Sequence, residues 1–176
     1  MSDSIGKGKD VLNLKTQTDN RKEILEDNKK RTQEVAGIAK NFEKSLIIIK
    51  PDGVEKKVVG DIISRFERAE LEIERIRVLE INKTIAYAHY NEHEGKPYFE
   101  RLVDYMTSGP SIIMIIKGEN AISKCRSIMG PTDPAKAPAG SIRGDHGSDI
   151  TINSIHGSDC SENAQREINI FFGNYL

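Results

Sequence analysis

Two short runs constrain this chain more than anything else in it: "SLIIIK" at 45–50 and "SIIMIIK" at 111–117. Each is continuously apolar and isoleucine-rich. Pro51 stops the first, and "SGP" at 108–110 leads into the second. A run too short for a core helix, β-branched and bounded by turn residues, reads as a buried strand. The segments around them follow helical or alternating periods. Val59, Ile62, Ile63 and Phe66 fall at i, i+3, i+4 and i+7 and predict a helix over 58–69. Residues 71–81, "LEIERIRVLEI", alternate as a half-buried strand, and the phase slip between Ile73 and Ile76 predicts a bulge. Thr84 is the expected cap of a helix over 85–93, and Pro97 opens another over 98–107. Asn120 is the expected cap of a helix over 121–129 that turns Ile122, Cys125, Ile128 and Met129 inward. Ser161 is the expected cap of a last helix over 161–172.

Residues 131–155 hold three prolines and three glycines and show little periodicity. An irregular stretch of that length inside a compact domain is either a mis-assigned run of elements or a functional loop. With a short fourth strand near 152–156, the order of elements predicts an α+β fold. It is a ferredoxin-like β-α-β-β-α-β sandwich with an antiparallel sheet, helices over one face, extra helices and the long functional loop 131–155.

The chain divides near residue 43. Residues 1–43 form an N-terminal extension, and 44–176 the domain. Residues 1–20 are small, polar and charged and read as disordered. Residues 21–40 are rich in helix formers. Ile24, Leu25, Val35, Ile38 and Ala39 are too few for a self-standing helix, so this part is either a solvated tail or a helix docked on something.

Composition excludes several functions. Lys plus Arg total 26 against 27 Asp plus Glu, which leaves no basic stripe to support nucleic-acid binding. No apolar run approaches the roughly 20 residues that span a bilayer, and "MSDSIGKGKD" lacks the apolar centre of a secretory signal. Two cysteines, Cys125 and Cys160, without a C-x-x-C, read as reduced thiols of a cytoplasmic protein. "HYNEH" at 89–93 fits H-x-x-E-H, with His89 and His93 one turn apart on the predicted helix. A catalytic zinc needs a third protein ligand, and nothing in the sequence nominates one, so a polar helix face is the default reading.

No Gly-rich phosphate loop of either familiar pattern occurs, so phosphates would have to be held by side chains. Lys50 follows the first strand, Arg126 lies on the helix 121–129, and Arg143 lies in the long loop. Each is a solvated surface charge unless the fold gathers them. The tetrapeptide His-Gly-Ser-Asp occurs twice, at 146–149 and 156–159. His156 precedes Gly157, which would let the backbone approach a bound group closely. Glu167, on the last helix, could accept one ring N–H and leave the other nitrogen free to attack. On spacing alone, a nucleophilic and a structural histidine both remain open.

The motifs "KPDGV" (50–54), "HY" (89–90), "KPYF" (96–99), "SGP" (108–110), "RSIMGPTDPA" (126–135), "GSIRGD" (140–145) and "NSIHGSD" (153–159) resemble nucleoside diphosphate kinase, in its order, over about residues 44–176. The resemblance implies an Mg²⁺-dependent phosphotransferase. It would move the γ-phosphate of a nucleoside triphosphate to a nucleoside diphosphate by a ping-pong route through phosphohistidine. It implies His156 as nucleophile through Nδ1 and Glu167 as the residue that orients its ring. It implies Lys50, Arg126, Thr132 and Arg143 on phosphate oxygens, with Lys50 and Asn153 on the ribose. Tyr98, Ile150 and Leu102 would enclose the base. Tyr90 would sit beside the histidine and lysine, and Ser158 beside the glutamate. Mg²⁺ would be held mainly by the phosphates, with no protein metal site. The partners implied are NTP and NDP and further copies of the chain, as a hexamer or tetramer. The second copy of the repeat, not His146, matches the family's histidine. Ile152 stands where many members have arginine, Tyr98 where phenylalanine is frequent, and Cys160 where serine is common. A catalytically inactive nucleotide- or protein-binding homologue is the alternative reading.

Overall fold

The structure is a computed structural model that describes residues 22, 24–32 and 42–173. Residues 24–32 are helical and exposed throughout, including Ile24 and Leu25. The expected disorder of 1–20 lies outside the described residues.

From Phe42 onward the elements run β1 (Phe42–Ile49), α1 (Pro51–Glu55), α2 (Val59–Arg68), β2 (Glu72–Glu80), α3 (Lys83–His89), α4 (Phe99–Met106), β3 (Pro110–Glu119), α5 (Ala121–Met129), α6 (Ile142–His146), β4 (Ile155–Gly157) and α7 (Ser161–Phe172). The strands form one sheet in the order β2-β3-β1-β4, antiparallel at every pairing. That is the ferredoxin-like arrangement. β2 carries its register irregularity between Ile73 and Arg75, where the alternation slips in the sequence.

The helices cover both faces of the sheet, not one. Successive residues of a strand point to opposite sides. Leu46 and Ile48 of β1 and Ile113 and Ile115 of β3 pack against α3, α4 and α7, on Ala86, Phe99, Val103, Met106, Ile168 and Phe171. Ile47 and Ile49, with Ile112, Met114 and Ile116, pack against α2, α5 and α6, on Ile62, Phe66, Cys125, Met129 and Ile142. This is why the two founding runs are apolar at every position. Leu46 through Ile49 are all 0 % exposed. Truncating one such side chain to alanine costs about 2–5 kcal/mol.

Three helix starts differ from expectation. α3 is capped by Asn82, whose side chain accepts from Ile85 N at 2.9 Å, not by Thr84. Asn120 does stand before α5, but in a left-handed conformation without a side-chain cap. Glu43 Oε2 accepts from Ile122 N instead, at 3.2 Å. α7 is capped by the sulfur of Cys160, which accepts from Asn163 N, and Ser161 is the first helical residue. The stretch 131–155 is also less irregular than it reads. It contains a 3₁₀ turn at Pro134–Lys136 capped by Asp133, and α6 capped by Ser141. β4 starts at Ile155 rather than 152.

Candidate active site

β4 is only three residues long, yet its register sets the site. Ile48 of β1 pairs with His156, Ile49 with Ile155 and Ile47 with Gly157. Directly opposed residues of an antiparallel pair share a face. His156 therefore projects with Ile48 toward α3 and α7. Gly157 projects with Ile47 toward α5. A Cβ on Gly157 would stand 2.6 Å from the Met129 sulfur and 2.8 Å from Ile47 Cδ1. Packing against α5 and β1 thus requires the glycine, which also lines the cleft.

On α7 the buried residues are Ala164, Glu167, Ile168 and Phe171, a single stripe at helical spacing. One member of the stripe is a carboxylate, and a buried carboxylate needs partners. Glu167 Oε1 lies 3.0 Å from His156 Nε2. Ser158 Oγ donates to Oε2 at 2.6 Å and accepts from Leu46 N at 3.0 Å, so the carboxylate is anchored to β1. An ionised carboxylate only accepts, so the ring proton sits on Nε2 and the lone pair on Nδ1. Tyr90, 7 % exposed, stands edge-on to His156 with ring centroids 6.3 Å apart, and burial pushes its phenol well above the ordinary value.

Eleven of the twelve residues singled out in the sequence line one cleft of about 580 Å³; Ser158 lies behind it, fully buried. Lys50, 5 % exposed, donates from Nζ to Asn153 Oδ1 at 2.8 Å and to Thr151 O at 3.2 Å. Burial, with the nearby Arg143 guanidinium second, lowers its pKa to about 7. Asn153 donates from Nδ2 to Thr132 O at 3.0 Å and Ile150 O at 2.9 Å, which binds two parts of the loop to the lysine. Ile142 sinks into the core and turns its neighbour Arg143 toward the cleft. That guanidinium donates to Gly130 O and Ile155 O, each at 2.8 Å. Burial, with Arg126 second, brings its pKa down to about 10. Gly130 holds φ +78, and a Cβ there would meet Ser141 Oγ at 2.7 Å. Arg143 disfavours the charge on Lys50, and Arg126 that on Arg143, because the three cations share a small space, and that makes the space an anion site.

Farther along, Tyr98 and Ile150 are 47 % and 64 % exposed, Leu102 lies beneath them, and all three line the same cleft. Exposed apolar side chains on a cleft wall suit a flat, apolar-faced guest. Tyr98 OH is 3.1 Å from His93 Nδ1.

The zinc pattern at 89–93 dissolves. α3 ends at His89 and a 3₁₀ turn carries Asn91–His93, so the two histidines do not share a helical face. His89 points inward at 3 % exposure, and burial holds it uncharged, its pKa well below the ordinary value. His146 lies outside the cleft, where its Nε2 is 2.8 Å from Asp61 Oδ2.

Several residues behind the site gave little sequence signal. Ser154, buried at φ +65, donates to Asp52 Oδ2 at 2.8 Å and to His146 O at 3.0 Å, while its carbonyl accepts from Lys50 N at 2.9 Å. Asp52 also accepts from Tyr105 OH and Lys56 Nζ. Burial opposes its charge, but these bonds win and hold the carboxyl below its usual range. Arg166 donates to the carbonyls of Ala88 and His89 at the end of α3. Asp52 and Ser154 sit inside "KPDG" and "NSIHGSD", so a conserved-looking motif was the only clue.

The nucleoside diphosphate kinase family model matches residues 43–175. A nucleoside diphosphate kinase of Pelotomaculum thermopropionicum is 50% identical over 131 residues, which span 74% of this chain and 88% of that protein. One from Thermococcus kodakarensis is 48% identical over 136 residues, 76% of this chain and 78% of that protein. Among solved structures, the Aquifex aeolicus nucleoside diphosphate kinase superposes with a TM-score of 0.73 at 38% identity, covering 76% of this chain and 96% of that one. The Encephalitozoon cuniculi enzyme, in its apo form, gives 0.74 at 36% identity, over 75% and 90%.

Proposed function

The chain belongs to the nucleoside diphosphate kinase family, and from that premise we propose how its own residues perform the transfer. The activity is movement of the terminal phosphate of a nucleoside triphosphate to a nucleoside diphosphate. His156 Nδ1 attacks the γ-phosphorus. The bond from that phosphorus to the bridging oxygen breaks, and the diphosphate leaves with the electron pair. A second diphosphate then takes the phosphate from the phosphohistidine by the reverse displacement, so the kinetics are ping-pong. The observation that supports this reading most is the 3.0 Å contact between Glu167 Oε1 and His156 Nε2. It holds the ring in the tautomer whose free lone pair is on Nδ1, and it stabilises the positive charge the ring acquires on phosphorylation.

Lys50, Arg126 and Arg143 hold phosphate oxygens, with Thr132 beside them. Each charge-assisted hydrogen bond contributes about 1.5–3 kcal/mol. Lys50 and Asn153 reach the ribose. Tyr98 and Ile150 clamp the base over Leu102, which tolerates any base because every base has an apolar face. Tyr90 and Ser158 support the ring and the carboxylate.

The group of metal-ligating side chains among the described residues is two imidazoles and one carboxylate, wrong for a hard cation. Mg²⁺ would therefore arrive with the nucleotide, with Lys50, Arg126 and Arg143 sharing its phosphates, and would supply positive charge that offsets theirs. No described helix is long and apolar enough to cross a membrane. The exposed free thiol of Cys160 suits a reducing cytoplasm. Ile76 and Val78, 51 % and 68 % exposed on edge strand β2, suit burial against a second copy in a hexamer or tetramer.

Mixing the protein with γ-labelled ATP and an unlabelled diphosphate tests the reading. Label in a new triphosphate and in an acid-labile, base-stable phosphoprotein supports it. Nucleotide binding without transfer would instead support the inactive alternative.

A further inference from the structure

Among the described residues, His89 is a buried group packed against the nucleophile that the transfer does not use. Both of its ring nitrogens are buried without a hydrogen-bond partner. Buried polar atoms are rarely left so, and each case calls for a reason. Its ring meets that of His156 edge-on, with centroids 4.6 Å apart and planes at 82°. Its Nδ1 lies 3.9 Å from Glu167 Oε1, the oxygen that is 3.0 Å from His156 Nε2. The donor atoms of His89, His156 and Glu167 all fall within 4.8 Å of one another.

We propose that His89, His156 and Glu167 form an inhibitory site for a borderline-soft divalent cation of the zinc class. Two imidazoles and one carboxylate are a familiar zinc donor set, with the fourth position left to water. Bonds of roughly 2.0–2.1 Å place tetrahedral donors about 3.3 Å apart, so the His156–Glu167 pair is near that spacing already. The His89 ring has to come about 0.6 Å closer to the carboxylate and, with the donor atoms spread over as much as 4.8 Å, up to about 1.5 Å closer to His156, which a rotation of the ring and a small shift of α3 supply. All three residues line the cleft, so the ion enters from the side open to solvent. Mg²⁺ does not compete, because it demands oxygen donors in octahedral array.

The consequence is chemical rather than steric. A cation that takes the lone pair of His156 Nε2 displaces the proton there. The neutral ring then carries its proton on Nδ1, and the lone pair that would attack phosphorus is gone. No bond to phosphorus forms or breaks, and no redox partner is needed. The inhibition rests on His156 being the phosphate acceptor, as proposed above; the metal site does not.

The test begins with Zn²⁺ titrated into nucleotide-free protein, followed by phosphoenzyme formation from labelled ATP with Mg²⁺ in large excess. The expected result is one zinc per chain and loss of phosphoenzyme in step with occupancy. His89→Phe, which keeps the ring volume, should weaken zinc binding at least about tenfold and restore phosphoenzyme formation in its presence. His93→Ala should leave zinc affinity unchanged. Equal zinc affinity in His89→Phe and the unaltered chain would overturn the proposal, and so would an equal loss in His93→Ala. Should His89→Phe fail to fold, X-ray absorption at the zinc edge of the unaltered protein decides. Two imidazole ligands support the site, and one or none overturns it. Zinc held by two imidazoles with undiminished phosphoenzyme would also overturn it. Absence of phosphoenzyme without any zinc would count against the nucleophile assignment, and the binding titration alone would then judge the metal site.

Discussion

Glu167 Oε1 sits 3.0 Å from His156 Nε2, and the same carboxylate accepts from Ser158 Oγ at 2.6 Å. A carboxylate so anchored fixes both the orientation of the imidazole and the atom that carries its proton. Glu167→Gln keeps an acceptor for Nε2–H but removes the charge. It should lower kcat about 10–100-fold and leave KM close to unchanged, as the loss of one charge-assisted bond in the transition state requires. Steady-state kinetics check the split. A rise in KM at constant kcat would place the residue in nucleotide binding instead.

Lys50 makes nucleotide binding a proton-linked event. Its pKa in the empty cleft is lowered to about 7, by burial first, and anionic phosphates beside it should raise it again. Binding at about pH 8 should take up close to one proton, and binding below about pH 6 should take up almost none. Calorimetry in buffers of different ionisation enthalpy reads this number. The sign for stability follows from the same shift. The folded value lies below the unfolded one, so the unfolded chain binds more protons between about 7 and the ordinary 10.5, and stability rises with pH across that window.

The clamp formed by Tyr98 and Ile150 should act on binding alone. Tyr98→Ala should weaken nucleotide binding by about 1–3 kcal/mol for every base alike, since stacking reads a face and not an edge. Tyr98→Phe should be close to neutral, losing only the bond to His93 Nδ1. Competition among the four common triphosphates measures both effects.

Asp52 should govern the acid limb of stability. Its folded value is depressed, so its contribution is complete above the ordinary 3.8 and is lost as pH falls below it. Asp52→Asn should cost about 1–3 kcal/mol at neutral pH, through Tyr105, Ser154 and Lys56 left short of an acceptor. It should also flatten the decline in acid. Denaturant melts at several pH values give both.

Local periodicity made the sheet legible. β1 and β3 announced themselves as apolar runs, and the bulge in β2 showed as a slipped alternation. What stayed hidden depends on partners far away in the chain. The pairing of His156 with Ile48 selects the face on which the imidazole emerges, and no local window contains it. Asn82 and Thr84 are both able to cap α3, and only the structure chooses. Glu43 reaches α5 across 79 residues to do what Asn120 was expected to do. The sequence reading places helices over one face, whereas β1, buried on both sides, is covered by helices on each, and no local period says which helix goes where. Site residues came through in motifs; Asp52, Ser154 and Arg166, which hold those residues in place, did not stand out.

The central claim is that phosphate passes through Nδ1 of His156. Its most direct test is magnetic resonance of ¹⁵N-histidine-labelled protein after exposure to ATP and Mg²⁺, with His146→Ala and His156→Ala as controls. The account predicts phosphorus coupled to Nδ1 of His156, retained in His146→Ala and absent from His156→Ala. Phosphorus on Nε2, or on any residue that survives His156→Ala, would contradict it.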